Sequence, residues 1–296
     1  MQSITNITTA VAITLISTVT SFAQEDLMSE LEKNSEEPAY VAQAFKGSRL
    51  VNGHTVETLG EGTLEFIFSH RFGRMNGGLY ELFGLDDAYV RLGLEYGITK
   101  DLGIGIGRNS VDKTIDSYLK YCVLRQNKQG IPVTVTLLGS AAYKTSPKKQ
   151  DTPEGFQASD RLAYTGQLLI AKKITSRLSL QLMPTIVHKN WVPQTGVDKN
   201  NQAALGVGGR VKLTRSVSVN AEYYYRINPE KNSAYQDALG LAVDIETGGH
   251  VFQIILTNTR GMIERAFITE TDGDFFDGDI HLGFNVTRAF QLKHKK

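Results

Sequence analysis

From Thr63 onward, apolar and polar residues alternate with a period of two, the pattern of a strand whose two faces meet different surroundings. The first run sets Leu64, Phe66, Phe68, His70 and Phe72 against Glu65, Ile67, Ser69 and Arg71, and the second sets Val90, Leu92, Leu94, Tyr96 and Ile98 against Tyr89, Arg91, Gly93, Glu95 and Gly97. A short third run places Leu102, Ile104 and Ile106 opposite Gly103, Gly105 and Gly107, and a fourth places Ile115, Leu119, Tyr121 and Val123 opposite Asp116, Tyr118, Lys120 and Cys122. Runs over 133–142, 162–171 and 178–187 follow. The eighth is the sharpest, with Leu205, Val207, Val211 and Leu213 against Gly206, Gly208, Arg210 and Lys212. The ninth sets Val217, Val219, Ala221, Tyr223 and Tyr225 against Ser218, Asn220, Glu222, Tyr224 and Arg226. Runs over 239–245, 251–257 and 280–287 bring the number to about twelve, most of them near transmembrane length.

The links between runs fall into two alternating classes. Tight ones lie near 99–101, 175–176, 214–215 and 247–249, with a slightly longer one at 126–130. The other class is long, at 73–86, 144–159, 190–201, 228–236 and 258–279, with one short member near Ser110. Short turns on the periplasmic side and long loops outside are the arrangement of bacterial outer-membrane barrels. The expected fold is therefore all-β, a single antiparallel transmembrane β-barrel of about 12 strands spanning 61–290, with both chain ends in the periplasm. Aromatic residues near strand ends (Phe72, Tyr96, Tyr121, Tyr164, Trp191, Tyr225 and Phe290) suit the two membrane interfaces, although Tyr and Phe favour strands anywhere.

The N-terminus changes the picture. An apolar stretch from Ala10 to Val19 precedes Ser21-Phe22-Ala23, whose small residues at first and third place resemble a signal-peptidase site, so residues 1–23 read as a signal peptide cleaved before Gln24, despite the lack of a preceding Lys or Arg. Residues 24–60 read as a periplasmic tail. Its first part is acidic (Glu25, Asp26, Glu30, Glu32, Glu36, Glu37), and the irregular stretch from Ala39 to Gly60 is placed against the barrel wall or within the lumen. Residues 291–296 form a basic C-terminal tail. A chain of 296 residues with a net charge of +1 lacks the basic bias of a nucleic-acid binder, and its one cysteine excludes a disulfide-stapled fold.

If the apolar faces meet lipid, the charges on the other faces point inward, because a lipid-facing Arg or Lys costs about 2–4 kcal/mol near the bilayer centre. The expected lumen-facing charges are Glu65, Arg71, Arg91, Glu95, Asp116, Lys120, Arg210, Lys212, Glu222, Arg226 and Asp244, close to balance. Two readings stay open: a polar pore of little ion selectivity, or a lumen laced by ion pairs and nearly closed. The loop carrying Glu270, Asp272, Asp274, Asp277 and Asp279 is a candidate Ca²⁺ site, but Phe275 stands where an EF-hand needs Gly and His281 where it needs Glu, which favours a solvated acidic loop. No catalytic residue, cofactor or metal is assigned. Ser69 and His70, weighed as a hydrolase pair, are adjacent on a strand and so point to opposite faces. The three strand glycines lack the following helix of a nucleotide loop.

Three segments carry a family likeness: Gly248-Gly249-His250-Val251-Phe252-Gln253, Thr257-Asn258-Thr259-Arg260-Gly261-Met262 and Gly278-Asp279-Ile280-His281-Leu282-Gly283-Phe284-Asn285. Together with Phe45-Lys46-Gly47 and Val51-Asn52-Gly53-His54, they resemble an uncharacterised outer-membrane β-barrel family of Bacteroidota, from about Ala39 to the end of the chain. The resemblance implies a barrel in the outer membrane and carries no activity or catalytic residue with it. The expected partners are outer-membrane lipid, the barrel assembly machinery and a small solute or ion, with no nucleic acid. Where many bacterial barrels end on an aromatic, Phe290 is here followed by a basic tail to Lys296. The function expected is a passive pore or a binding or structural component of the envelope. The alternatives are a soluble periplasmic barrel or sandwich with its apolar faces inside, and a barrel-embedded lipid hydrolase.

Overall fold

The computed structural model describes residues 40–292 apart from 42, 194–197 and 228, so the expected leader, the acidic tail and most of the basic tail lie outside the described residues. Among the described residues, twelve antiparallel strands close into one barrel. They are β1 (Thr63–Arg74), β2 (Ala88–Gly97), β3 (Leu102–Asn109), β4 (Thr114–Leu124), β5 (Thr134–Lys144) and β6 (Leu162–Lys173), then β7 (Leu178–Lys189), β8 (Asn201–Lys212), β9 (Val217–Ile227), β10 (Ala238–Thr247), β11 (His250–Thr257) and β12 (His281–Gln291). Each strand pairs with its sequence neighbours, and β1 pairs with β12 from Thr63↔Gln291 to Arg74↔His281, which leaves no free edge.

Burial follows the alternation. In β4, Thr114, Asp116, Tyr118, Lys120 and Cys122 are buried while Ile115, Leu119, Tyr121 and Val123 are exposed, and β9 repeats this with Tyr224 inside and Val219, Tyr223 and Tyr225 outside. The outer surface is a belt of apolar side chains, among them Leu94, Ile106, Leu182, Ile186, Val207, Val243 and Ile254. A soluble ligand-binding barrel would carry this face inside. Water-exposed apolar surface on this scale is unfavourable, and lipid satisfies it.

Several strands run beyond their alternating stretch. β8 begins at Asn201 and β12 continues to Gln291, because backbone pairing with β7 and β1 persists where the side chains have already turned polar. The connections separate by length as expected, with one end of tight turns and one of long loops, and the chain enters and leaves the barrel at the short-turn end. One long connection departs from the expected exterior loop. After β11 the chain turns into the barrel, where residues 261–269 are buried and α1 (Glu264–Thr269) lies inside the mouth.

Candidate functional site

The centre of the barrel is filled by its own chain. Residues 43–60 rise from the short-turn end and fold into a small hairpin in which Arg49 bridges His54, Thr55 N–H donates to the Ser48 carbonyl (3.0 Å) and Leu50 N–H donates to the Gly53 carbonyl (2.8 Å). Phe45, Leu50, Val51 and Val56 are each 1% exposed, and burying such side chains contributes about 1.5–3 kcal/mol apiece. Phe45, Leu50 and Val56 cluster with Tyr118, Leu138, Leu169, Met183, Tyr224 and Phe267, and Val51 clusters separately with Ala242 and Ile255.

The inner wall holds the backbone of this plug. Glu222 accepts N–H groups from three successive residues, Val51 (3.2 Å), Asn52 (2.7 Å) and Gly53 (3.1 Å), an arrangement that cradles an anion. Gly53 is required there, since a Cβ would sit 2.1 Å from the Tyr224 hydroxyl. Gln181 donates to the His54 carbonyl and accepts from Val56 N–H, both at 2.8 Å, and Gln253 donates to the Leu50 carbonyl at 2.8 Å. Thr136 donates to the Val56 carbonyl (2.7 Å) and Lys120 to the Glu57 carbonyl (2.5 Å), while Ser48 donates to Glu65 (2.8 Å) and Arg71 to Asn52 Oδ1 (2.9 Å). A buried peptide group needs such partners, because leaving it unpaired costs about 1–3 kcal/mol.

Of the eleven charges named from the sequence, Glu65, Arg71, Arg91, Glu95, Asp116, Lys120, Glu222, Arg226 and Asp244 are buried. Arg91 meets Asp116 in a two-pronged pair (3.0 and 2.5 Å), and Lys120 lies 3.6 Å from Glu95, which also accepts the Tyr118 hydroxyl (3.0 Å). Room for these large groups comes from β3, where a Cβ on Gly105 would fall 2.1 Å from the Tyr118 ring. Asp244 accepts from Gln253 (2.7 Å), and Arg226 bonds Ser233 at the long-loop end. Arg210 and Lys212 stand at the short-turn mouth, Arg210 reaching Glu246 at 2.6 Å. The sequence reading missed Thr136, Gln181, Gln253 and Asn285. All four hold inward parity in their strands, and that parity was the available signal.

The second occluding element is the connection between β11 and β12. Met262, Ile263, Phe267 and Ile268 are at most 3% exposed, and Phe267 meets Tyr224 edge-on at 5.0 Å. Its Glu264 lies 3.1 Å from Arg49 and 3.3 Å from His54, so the two elements meet inside the barrel through buried groups. Toward the long-loop end, Glu270 is ringed by Arg265, Lys189 (3.5 Å) and Lys144 (3.7 Å). Asp272 pairs with Arg74 (3.1 Å) and Arg260 (3.5 Å), and Asp279 with Arg74 (3.3 Å). Glu270, Asp272 and Asp279 are thus directed at cations of the barrel wall and of the connection itself, Asp274 accepts the Phe276 N–H, and among the described residues no group of three or more His, Cys, Asp or Glu side chains is arranged to hold a metal ion. Phe276 is 87% exposed at the tip.

Burial works against the charge of Glu270, but the Arg265, Lys144 and Lys189 cations outweigh it and hold its carboxyl at about 2, below the ordinary 4.5. A carboxyl depressed in the folded state stabilises above its unfolded pKa, and that contribution is lost as pH falls from about 4.5 through 2. Hydrogen exchange of residues 258–273 is therefore expected to stay slow at neutral pH and to accelerate across that acid window. In Glu270→Gln it should already be faster at pH 7, without the acid step.

Above this element lies a cavity of about 470 Å³, open at the long-loop end. Trp191, two residues past β7, lines it and meets Phe156 edge-on (5.3 Å), and the Arg161 guanidinium lies over the Phe156 ring at 5.4 Å.

Residues 45–290 match the model of a family described as membrane-bound β-barrel domain (DUF5777). Among solved structures, the chain is similar to the NanC porin at 10% identity, covering 78% of this chain and 100% of that one with a TM-score of 0.49. It is also similar to the KdgM porin (9% identity, 77% and 99% covered, TM-score 0.48) and to an outer-membrane channel from Pseudomonas putida F1 (14% identity, 79% and 98% covered, TM-score 0.47). No curated protein sequence matches it.

Proposed function

Because the chain belongs to the membrane-bound β-barrel domain family, we propose that it is an outer-membrane channel for small polar solutes or ions, held shut by its own N-terminal segment. The observation that carries this reading is the kind of contact made by the plug. It is a separate hairpin bound through side chain to backbone hydrogen bonds, with Glu222, Gln181, Gln253, Thr136 and Lys120 on the wall, and it is not an extension of any strand. Such a segment can leave without breaking a single barrel ladder, and the wall it would expose carries charges of both signs beside an apolar patch of Leu138, Leu169 and Met183. Its N-terminal end emerges at the short-turn side, where Tyr40 bridges Asn127 and Val41 N–H bonds the Gln126 carbonyl, so the periplasm is the side from which it would be withdrawn.

The experiment is planar-bilayer conductance of the folded full chain beside a variant lacking residues 43–58. The full chain is expected to be silent or to open rarely, and the deletion variant to show stable discrete steps of little ion selectivity. Silence of that variant and of one that also lacks residues 261–269, both shown to be folded and inserted, would defeat the channel reading and leave a rigid envelope component in its place.

A further inference from the structure

We propose that the cavity at the long-loop end is a binding site for a neutral saccharide of one to three sugar units. The proposal rests on the preceding section only in taking that end of the barrel to face outside. At about 470 Å³ the cavity falls within the roughly 300–1,000 Å³ range of small-molecule sites.

Its lining combines two kinds of chemistry. Trp191 and Phe156 supply aromatic surface, and Pro147, Pro153 and Pro193 line the cavity too. Trp191 keeps 39% of its surface exposed although the indole is fixed edge-on against Phe156. A flat, partly bare, rigid aromatic with a polar N–H suits the C–H face of a pyranose, which is apolar on its ring faces and polar at its rim.

The rest of the lining is charged but balanced. Five cations and five carboxylates line the cavity, and they are largely engaged with one another. Lys144 reaches Asp112 (2.8 Å) and Glu270, Lys189 reaches Asp198, Arg265 reaches Glu270 and Arg260 reaches Asp272. An anionic ligand would have to displace carboxylates that already hold these cations, and a cationic ligand would have to displace the cations. A neutral polyol needs neither. Paired carboxylates retain lone pairs, paired ammonium and guanidinium groups retain N–H donors, and Tyr235 and Ser146 add hydroxyl groups, so rim hydroxyls can be met as both donors and acceptors. Gly261, Arg265 and Ala266 also line the cavity, from the same inward-folded element whose Glu264 touches the plug.

Trp191 is the only tryptophan in the chain, so its emission reads this cavity alone. We would titrate the detergent-solubilised full chain with maltotriose, cellotriose, mannotriose and chitotriose, following emission and heat, alongside the tricarboxylate counterpart of cellotriose. A saturable emission change with at least one neutral trisaccharide is expected, and little with the tricarboxylate. Trp191→Ala should weaken the calorimetric affinity at least tenfold with no change in melting temperature, and Trp191→Phe should restore most of it. No response to any of the four neutral sugars, tighter binding of the tricarboxylate, or undiminished binding by Trp191→Ala would each overturn the proposal. Binding is read with the lumen closed, so a failure here leaves the conductance result untouched, and a silent plug deletion leaves this result untouched.

Discussion

Replacing Glu222 by alanine is expected to free the N-terminal plug while leaving the barrel intact. The carboxylate is 3% exposed and is the acceptor for the N–H groups of Val51, Asn52 and Gly53 at the hairpin tip. Removing it strands three buried donors, and each costs about 1–3 kcal/mol, so a loss of several kcal/mol falls on the docking of one short segment. The wall loses little, since Glu222 lies on β9, whose ladder bonds to β8 and β10 are backbone bonds. Limited proteolysis should cut within 43–60 in Glu222→Ala and spare the parent, and bilayer recordings should show openings in the variant. Glu222→Gln keeps an acceptor oxygen and is expected to fall between the two. A variant whose segment stays protected would mean that the apolar contacts of Phe45, Leu50, Val51 and Val56 hold the plug without the carboxylate.

The second large effect is expected at Asp116. Its partner Arg91 is 1% exposed and depends on it for two bonds, with Gly107 leaving the space both occupy. Asp116→Ala leaves a buried guanidinium without its counter-charge, which costs about 3–5 kcal/mol in comparable buried pairs. Urea unfolding from lipid vesicles should shift accordingly. Replacing Arg91 and Asp116 together by leucine removes the stranded charge as well as the pair, so the double variant should recover most of the loss. If Asp116→Ala alone unfolds like the parent, the pair is wetter than its burial indicates.

Plug docking and wall stability are thus separable. Glu222 acts across the gap between hairpin and wall, whereas Arg91 and Asp116 join β2 to β4 across β3. A change that weakens the first should open the lumen, and one that weakens the second should weaken the barrel itself.

The sequence by itself determined the wall of this protein: a strand in a closed barrel places alternate residues in lipid and in the lumen, so a period of two records which side each residue faces. Loop lengths separated the two ends for the same local reason. The filling of the lumen was decided only in the tertiary structure. Residues 43–60 carry no periodicity, because a hairpin surrounded on all sides by wall buries both of its faces. Its partners are remote, Glu222 about 170 residues from Asn52 and Gln253 about 200 from Leu50. The apolar Met262, Ile263, Phe267 and Ile268 hinted that the connection between β11 and β12 turns inward, yet local spacing cannot say which mouth a loop enters. Closure of β1 on β12 and the meeting of Glu264 with Arg49 likewise join parts of the chain more than two hundred residues apart, where burial and charge compensation govern and sequence order does not.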